Sequence, residues 1–308
     1  MFPNTRFWFT ICSFLVTILA VLPSSQSAFT RKLALVQPPA TVLKYHKGQL
    51  LFGNVTVNLI WYGKFTPTQR AIVVDFIRSL SQKTYGRQPE PTVASWWSTT
   101  QKYSGRPVII SLGKQISLNY TLGKSLNDAK LEALASKYSH VNTINFILTA
   151  SDVSVYDFCM NRCGTHGWTR GKTGKFPYAW VGNSLPQCPD QCAWPFHRPI
   201  VGPQTPPLVA PNRDVGIDGM IINIATVLAG TVTNPFDQGY YQGPSTAPLE
   251  AVTACTGIFG SGAFPGYPGT VLKDKKTGAS YNARGVRSRE YLLPAMWDPK
   301  TSTCKPLV

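Results

Sequence analysis

The sequence predicts a single α+β domain in which a mixed sheet packs against helices. Two observations point to this fold class. Strand-like and helix-like patterns alternate between about residues 54 and 150, and a long apolar segment, 220–232, shows helical spacing on nearly every face. A helix that is apolar all round must be covered on more than one side. We therefore expect it to lie inside the domain.

The first half of the chain supplies the sheet. Residues 54–63 alternate as a strand with Val55, Val57 and Trp61 on one face. Thr66 is placed to cap a helix that has Pro67 at its first position. The same patterns predict, in order, a short helix near 93–103, strands at 107–112 and 116–122, a helix at 126–138 and a strand at 143–150.

The character of the chain changes after residue 150. Periodicity disappears from 151 to 213, while Gly, Pro, Trp and Cys accumulate, which predicts an irregular insertion stapled by disulfides. Gly, Pro and Tyr also dominate after the apolar helix, as far as Pro268. A final hairpin is predicted where 270–273 and 279–282 flank a turn.

The first residues predict export. Arg6 precedes an apolar run from Phe7 to Leu22, and small residues follow, so we expect a signal peptide over 1–27 and a mature domain over 28–308. We predict no transmembrane segment in the mature chain. The protein is then expected to be secreted into the extracellular space.

Cysteine usage agrees with an oxidising compartment. Six cysteines follow the signal peptide, and this even number favours three disulfides among 15 possible connectivities. The preferred pairing joins the two C-x-x-x-C units to each other and the last two cysteines together. A rival interpretation makes the first four a zinc knot with His166 or His197. The six residues are Cys159, Cys163, Cys188, Cys192, Cys255 and Cys304.

Charge and sequons suggest the surroundings of the protein. The chain has 30 Lys and Arg against 14 Asp and Glu, a formal net charge of +16, which attracts polyanions such as acidic polysaccharides. Nucleic acid is not expected, because no basic motif with interleaved aromatic residues is present. Glycosylation is expected at Asn54 and Asn119, which begin N-x-T sequons.

The apolar helix resembles a metal-site helix without its chemistry. Zinc hydrolases of the zincin class place His, Glu and a second ligand on one helical face, and the corresponding positions here are Thr226, Val227 and Gly230. These side chains cannot bind zinc or activate water. We therefore predict a zincin-like arrangement with a degenerate metal-site helix, no metal, no cofactor and no catalytic residues.

Other catalytic constellations are weaker. Ser261 lacks the flanking pattern of a nucleophile elbow. A pair of acids for glycoside cleavage stays open, since the separation of carboxylates is a three-dimensional quantity. Helix capping is the preferred role for the first two of the clustered acids. These acids are Asp214, Asp218, Asp237 and Glu250.

Several long motifs resemble the plant EXORDIUM family, also called phosphate-induced protein 1. They extend over essentially the whole mature chain. The motifs are Y-H-K-G from Tyr45, Y-A-W-V-G-N from Tyr178, Q-C-P-D-Q-C-A-W-P-F from Gln187, G-I-D-G-M-I-I-N-I-A from Gly216, T-A-P-L-E-A-V-T-A-C-T-G-I-F-G-S-G from Thr246 and Y-L-L-P-A-M-W-D-P from Tyr291.

This resemblance implies a secreted protein of the apoplast or cell wall that promotes brassinosteroid-responsive growth and cell expansion, with no established enzymatic activity. More distant relatives look as if they carry a complete metal-site helix, which would make Glu250 a surviving third ligand; a solvated or capping carboxylate is the other interpretation. The competing function is a cryptic hydrolase using Asp218 and Glu250, or a degenerate metalloprotease-like enzyme, acting on wall components.

The expected partner is an acidic cell-wall polysaccharide, with an extracellular receptor as the alternative. Lys and Arg would attract carboxylates, and rings in irregular segments would stack on sugars. Burial of these rings in the core is the other interpretation. The rings are Trp168, Trp180, Trp194, Tyr240, Tyr241, Phe264 and Tyr267.

Overall fold

The computed structural model describes residues 41–81, 89–138, 142–160, 162–171, 174–199, 202 and 205–308. The predicted signal peptide over 1–27 lies outside the described residues, as does the start of the predicted mature domain.

Helices are few, and one of them is much longer than the rest. The described helices are α1 (Pro67–Ser79), α2 (Val93–Trp97), α3 (Gln101–Ser104), α4 (Asp128–Ser136), α5 (Pro189–Cys192) and α6 (Val215–Thr233). Thr66 caps α1 in a reciprocal capping box with Gln69, as the sequence pattern predicts.

Strands occur throughout the described chain. Those before α6 are β1 (Lys44–Tyr45), β2 (Gly53–Tyr62), β3 (Val108–Leu118), β4 (Ser125–Leu126), β5 (Thr143–Thr149), β6 (Ser154–Val155), β7 (Gly164–Gly171) and β8 (Gly174–Gly182). Those after it are β9 (Tyr240–Tyr241), β10 (Leu272–Lys273), β11 (Ser280–Tyr281), β12 (Ala283–Arg284), β13 (Glu290–Tyr291), β14 (Met296–Asp298) and β15 (Thr303–Lys305). The predicted final hairpin is the β10–β11 pair.

A five-stranded mixed sheet forms the centre of the domain, in the order β3-β2-β5-β8-β7. Four strands are parallel, and β7 is the antiparallel edge strand beside β8. The middle strand β5 is buried at every residue, because both faces of the sheet are covered. The α+β class with a mixed sheet and packed helices is therefore confirmed.

One predicted break in the sheet is absent. The sequence suggested separate strands at 107–112 and 116–122, whereas β3 is continuous. The pairing of β2 with β3 shifts between Val57 and Leu59, and the buried Asn58 lies at this irregularity. Its side-chain oxygen accepts the Lys114 N–H at 2.8 Å, so the strand bends without ending.

The insertion at 151–213 is more regular than predicted. It contains the β7–β8 hairpin, and β8 is an inner strand of the main sheet. The prediction of an irregular segment was wrong because Ala179, Trp180 and Val181 are all buried and show no alternation. Glycines at both ends of β7 further weakened the strand pattern.

Three disulfides staple the insertion and the C-terminal segment. Cys159 pairs with Cys188, and Cys163 pairs with Cys192, so the two C-x-x-x-C units are joined to each other as preferred. Cys255 pairs with Cys304. Because disulfide sulfurs do not ligate zinc as thiolates, the rival zinc knot is wrong. Close by, Asp298 on β14 pairs with Lys102 and Lys305 at 2.6 and 2.9 Å.

Helix α6 is the apolar helix predicted from sequence. Its length and composition would allow it to span a membrane, yet 83% of its most apolar window is buried inside the protein. It packs on β7, β8 and α1, with Asp214 as its N-cap. A zincin-like arrangement is not supported by a metal site: no group of three or more His, Cys, Asp or Glu side chains within the described residues could hold a metal ion.

Candidate functional site: the carboxylate–imidazole centre of helix α6

The three positions that would carry zinc chemistry lie on the second half of α6. Thr226 donates its hydroxyl to the Ile222 carbonyl at 2.8 Å, within its own helix. Val227 is a buried core residue. Gly230 faces two chemically active side chains, which belong to other parts of the chain. Of the three, Gly230 alone thus stands at the centre of a polar cluster.

Glu250 reaches this glycine from the loop after β9. It is buried, and its carboxylate lies 3.0 and 2.9 Å from Nε2 of His166 on the edge strand β7. Asn234, the C-cap of α6, donates its side-chain N–H to Glu250 Oε1 at 2.7 Å. We call His166, Glu250 and Asn234 the α6 centre.

Asn234 holds the cluster in place from the end of the helix. Its backbone N–H donates to the Gly230 carbonyl at 2.7 Å, and its side-chain oxygen accepts the Gly239 N–H at 2.7 Å. The amide therefore connects the end of α6, the following loop and the Glu250 carboxylate. The sequence showed Asn234 as a helix stop and gave no sign of this second role.

Residue 230 is a glycine because His166 and Glu250 lie very close to the helix backbone there. A Cβ at residue 230 would lie 3.0 Å from His166 Nε2 and closer than that to Glu250 Oε2, and real Cβ atoms hardly ever approach other atoms so closely. The glycine therefore leaves room for the carboxylate and the imidazole to lie against the helix backbone.

The α6 centre is a buried ion pair. The side chains of His166 and Glu250 are each 9% exposed. Burial alone would lower the pKa of His166, but the Glu250 carboxylate and its hydrogen bond raise it above the ordinary value, and Asp237 adds to the rise. The other ring nitrogen, Nδ1, is buried and has no hydrogen-bond partner among the described residues.

This arrangement can hold a proton between imidazole and carboxylate. It offers two metal-binding side chains and an amide, with glycine at the position where a zincin helix would present its second ligand. The neighbouring hydroxyls of Thr231 and Thr233 donate to carbonyls of their own helix, at 2.7 and 2.8 Å. They are therefore not poised as nucleophiles next to the imidazole.

The four clustered acids are not all brought together: Asp237 and Glu250 both act on His166, whereas Asp214 and Asp218 lie at the start of α6. Asp214 caps α6 by accepting the Ile217 N–H at 3.0 Å, as preferred from sequence. Asp218 is buried one turn further on, whereas Glu250 lies against Gly230. Positions 218 and 230 are twelve residue steps apart, which is about 18 Å along the helix axis. Glycosidase carboxylates are about 5–9.5 Å apart, so Asp218 and Glu250 do not form such a pair.

Asp218 has a local structural role instead. Its carboxylate accepts the Asn212 backbone N–H at 2.8 Å and the Asn212 side-chain N–H at 2.6 Å. Burial raises the pKa of Asp218 to about 7, although the hydrogen bonds from Asn212 act in the opposite direction. The fourth acid, Asp237, accepts the Trp168 indole N–H at 2.9 Å.

The remaining predicted residues lie away from the α6 centre. Asn54 and Asn119 are both exposed, on β2 and just after β3, so their side chains are accessible. Trp180 is completely buried and donates to Thr149 at 3.0 Å, so its predicted role as a stacking surface is wrong. Ser261 lies in an exposed turn that pairs with Thr270.

Comparison with known proteins places the chain in a family. The model of the phosphate-induced protein 1 conserved region matches residues 43–307. Protein EXORDIUM-like 2 from Arabidopsis thaliana is 62% identical over 282 residues, 89% of this chain and 92% of the relative. Protein PHOSPHATE-INDUCED 1 from Nicotiana tabacum is 58% identical over 309 aligned positions, 96% and 98% of the two chains.

Protein EXORDIUM from Arabidopsis thaliana is 55% identical over 309 aligned positions, which cover 96% of this chain and 98% of the relative. No solved structure matches this chain. The long sequence motifs that resembled EXORDIUM proteins thus extend to whole-chain identity. The chain belongs to the phosphate-induced protein 1 family, which includes the EXORDIUM proteins.

Proposed function

We propose that the protein is a secreted, non-catalytic component of the plant cell wall or apoplast that binds acidic wall polysaccharide. On this proposal it promotes brassinosteroid-responsive growth and cell expansion from outside the cell. Three disulfides are compatible with export. A non-catalytic role is supported by Gly230, because this glycine leaves the α6 centre one ligand short of a zincin site.

Uncompensated positive charge is the observation that carries polysaccharide binding. The chain has 30 Lys and Arg and a formal net charge of +16. Among the described residues, six Lys or Arg side chains form ion pairs with carboxylates, so most cations in that part of the chain are not neutralised locally. Such a surface attracts polyanions over about a Debye length, roughly 10 Å at 0.1 M salt.

Some of the predicted aromatic contacts remain available to a sugar. Phe264 is 60% exposed, and with Trp194 it lines a mostly apolar cleft of about 590 Å³. Trp168 lies under the Lys175 ammonium, 4.0 Å from its ring centroid. Tyr240 and Tyr241 instead stack on Tyr45 and His46, which fixes them to β1. The aromatic contribution is therefore proposed for Phe264 and Trp194, and for Tyr267, whose ring centroid lies 5.1 Å from that of Phe264. Trp168 already receives the Lys175 ammonium and is not included.

Retention on immobilised de-esterified pectin tests the binding proposal. Purified mature protein is applied at low and at high salt, with a neutral glucan as the matched support. We expect retention on pectin at low salt and release at high salt, because exposed charges are screened. Equal, negligible retention on both polymers at low salt would contradict the proposal and make an extracellular receptor the leading candidate.

Growth promotion is tested separately. The mature protein is added to elongating plant tissue, with heat-denatured protein as control, and cell length is measured with and without brassinosteroid. A response that requires the folded protein is expected. Recovery of the protein from wall extracts, with its first residue just after Ser27, is the expected sign of export and signal-peptide removal.

We also propose that α6 descends from a zincin-like metal-site helix. On this second proposal the protein is a degenerate relative of metalloprotease-like enzymes. The supporting observation is that Glu250, the expected third ligand, lies against Gly230, the expected second-ligand position. Because His166 occupies the same space, restoration requires its removal. Zinc binding by T226H/V227E/G230H/H166A supports descent, and a folded variant that binds no zinc counts against it.

A further inference from the structure

A second cleft lies far along the chain from the α6 centre, between the end of the insertion and the C-terminal hairpins. Its volume is about 610 Å³, within the roughly 300–1,000 Å³ of small-molecule sites. Four cations and two carboxylates line it. We call it the arginine cleft and define it by Asp274, Lys276, Arg284, Arg287, Arg289 and Glu290.

Two of the arginines are fixed by neighbouring side chains. The Arg289 guanidinium donates to the buried Asp75 carboxylate at 3.1 Å and to the Asn212 side-chain oxygen at 2.9 Å. Arg284 donates to the Tyr281 hydroxyl and lies over the Tyr281 ring, 4.7 Å from its centroid. These two side chains are therefore held by partners before a ligand arrives, which reduces the entropy cost of ordering them on binding.

The other two cations have no carboxylate partner. Arg287 is exposed and forms no ion pair with the described residues, and the same holds for the Lys276 ammonium. Arg284 lies 3.9 Å from Glu290, at the limit of an ion pair. With Arg289 neutralised by Asp75 and Arg284 near Glu290, the cleft keeps an excess of positive charge centred on Arg287. The Lys276 ammonium adds to it, although the Asp274 carboxylate also feels this charge.

The backbone at Arg287 adopts a conformation that is uncommon for residues other than glycine. Arg287 and Ser288 have φ angles of 59° and 56°, so two consecutive non-glycine residues are left-handed. The turn is closed by the Gly285 N–H to the Arg289 carbonyl at 2.8 Å and by the Val286 N–H to Ser79 Oγ at 2.9 Å. Such conformations persist only where the surrounding structure enforces them, and they concentrate at ligand-binding sites.

The acidic groups of the cleft complement hydroxyls. Asp274 Oδ1 already accepts the N–H groups of Lys276 and Thr277, at 3.0 and 2.7 Å. Its other oxygen and the Glu290 carboxylate accept no hydrogen bond from the described residues. Carboxylates accept hydrogen bonds strongly but repel a ligand that is anionic throughout. A ligand with one carboxylate and several hydroxyls would match this mixture.

We propose that the arginine cleft binds a uronic acid residue of an acidic polysaccharide. Arg287 and Lys276 bind the sugar carboxylate, while Glu290 and the free oxygen of Asp274 accept hydroxyl hydrogen bonds. This inference rests on the proposed function, and it assigns that function to one place on the surface.

Fluorescence anisotropy of a labelled homogalacturonan oligosaccharide tests the assignment. The variant K276Q/R287N removes both unpaired cations, and asparagine tolerates the left-handed conformation at residue 287. The matched control K137Q/R170Q removes the same charge from exposed positions outside the cleft. Thermal unfolding of all three proteins shows that each is folded.

We expect K276Q/R287N to weaken binding at least about tenfold, because two charge-assisted hydrogen bonds are lost. The control is expected to weaken it less than about threefold, since it changes only the overall field. The methyl-esterified oligosaccharide should bind the wild type as weakly as the acidic one binds the cleft variant.

Three results would overturn the assignment, and they separate it from the proposed function. Equal weakening by the two variants means that charge without a specific site retains the polymer, so the assignment fails and the function stands. If the esterified oligosaccharide binds the wild type as tightly as the acidic one, the sugar carboxylate is not the group that the cleft recognises. No binding by the wild type at low salt refutes both.

Discussion

Gly230→Ala tests the packing of the α6 centre most sharply, because one methyl group is added at its closest contact. The new Cβ would lie within 3.0 Å of Glu250 Oε2, whereas ordinary contact begins near 3.4 Å. The carboxylate must then move away from the helix. It would lose either the His166 hydrogen bond at 2.9 Å or the Asn234 hydrogen bond at 2.7 Å.

The expected cost follows from three terms. Loss of a hydrogen bond to a charged group costs about 1.5–3 kcal/mol, and overpacking adds about 1–3 kcal/mol. Alanine returns up to about 1 kcal/mol through its higher helix propensity. We therefore expect a net loss of about 1.5–6 kcal/mol in the free energy of unfolding.

Urea denaturation with all disulfides intact measures this loss. Thr226→Ala on the same helix is the matched control, because its hydroxyl bonds only within α6. We expect the control to differ from wild type by less than about 1 kcal/mol. If Gly230→Ala is as stable as the wild type or more stable, the glycine is not packed against the pair and the geometry of the centre is refuted.

Three further predictions concern stability. Because the pKa of His166 is raised in the folded state, the ion pair stabilises the fold fully below the unfolded pKa of about 6.5, and this stabilisation is lost as pH rises through the folded pKa. H166Q should therefore flatten the dependence of unfolding free energy on pH above neutrality. An unchanged slope would contradict the ion pair. Burial of Asp298 opposes ionisation, but hydrogen bonds from its two lysine partners lower its pKa strongly. The stabilisation by these ion pairs should therefore be present above about pH 4 and lost in acid. D298N should remove this acid-dependent loss of stability, and an unchanged loss in D298N would contradict the role of Asp298. Finally, C255A/C304A should cost about 2–5 kcal/mol in thermal or chemical unfolding, and denatured, unreduced wild-type protein should show essentially no free thiol. Wild-type stability in C255A/C304A, or titratable thiols in wild type, would count against the pairing.

Local patterns were sufficient to predict much of the first half of the fold. Thr66 and Pro67 give a capped helix start that depends on residues a few positions apart, and α1 begins at Pro67. The apolar run of α6 likewise required burial, whatever covered it. These features are decided by nearest neighbours and by composition, so a single sequence contains them.

The hairpin of β7 and β8 could not be predicted in the same way. Its inner strand is buried on both faces and shows no alternation, while its edge strand has three glycines and half-exposed side chains. A continuous apolar run such as Y-A-W-V at residue 178 is the signal that could have identified β8 as an inner strand.

The candidate site was likewise predicted only in part from the sequence. Glu250 and Gly230 were placed together as ligand positions, and the structure brings them into contact. His166 was considered only as a partner for cysteines, because it lies 84 residues from Glu250 on a strand that was not predicted. Asn234 was hidden by its obvious role as a helix stop. Contacts between distant segments depend on strand order, which periodicity does not contain.

Zinc content tests whether α6 is a scaffold helix that packs against a carboxylate–imidazole pair and is not part of a metal site. Purified mature protein is equilibrated with excess Zn²⁺, dialysed against metal-free buffer at neutral pH and analysed by mass spectrometry. The α6 centre supplies only His166 and Glu250 as strong ligands, whereas stable sites use three or four. We expect zinc far below one ion per chain. One retained zinc per chain, lost in H166A or E250A, would contradict it.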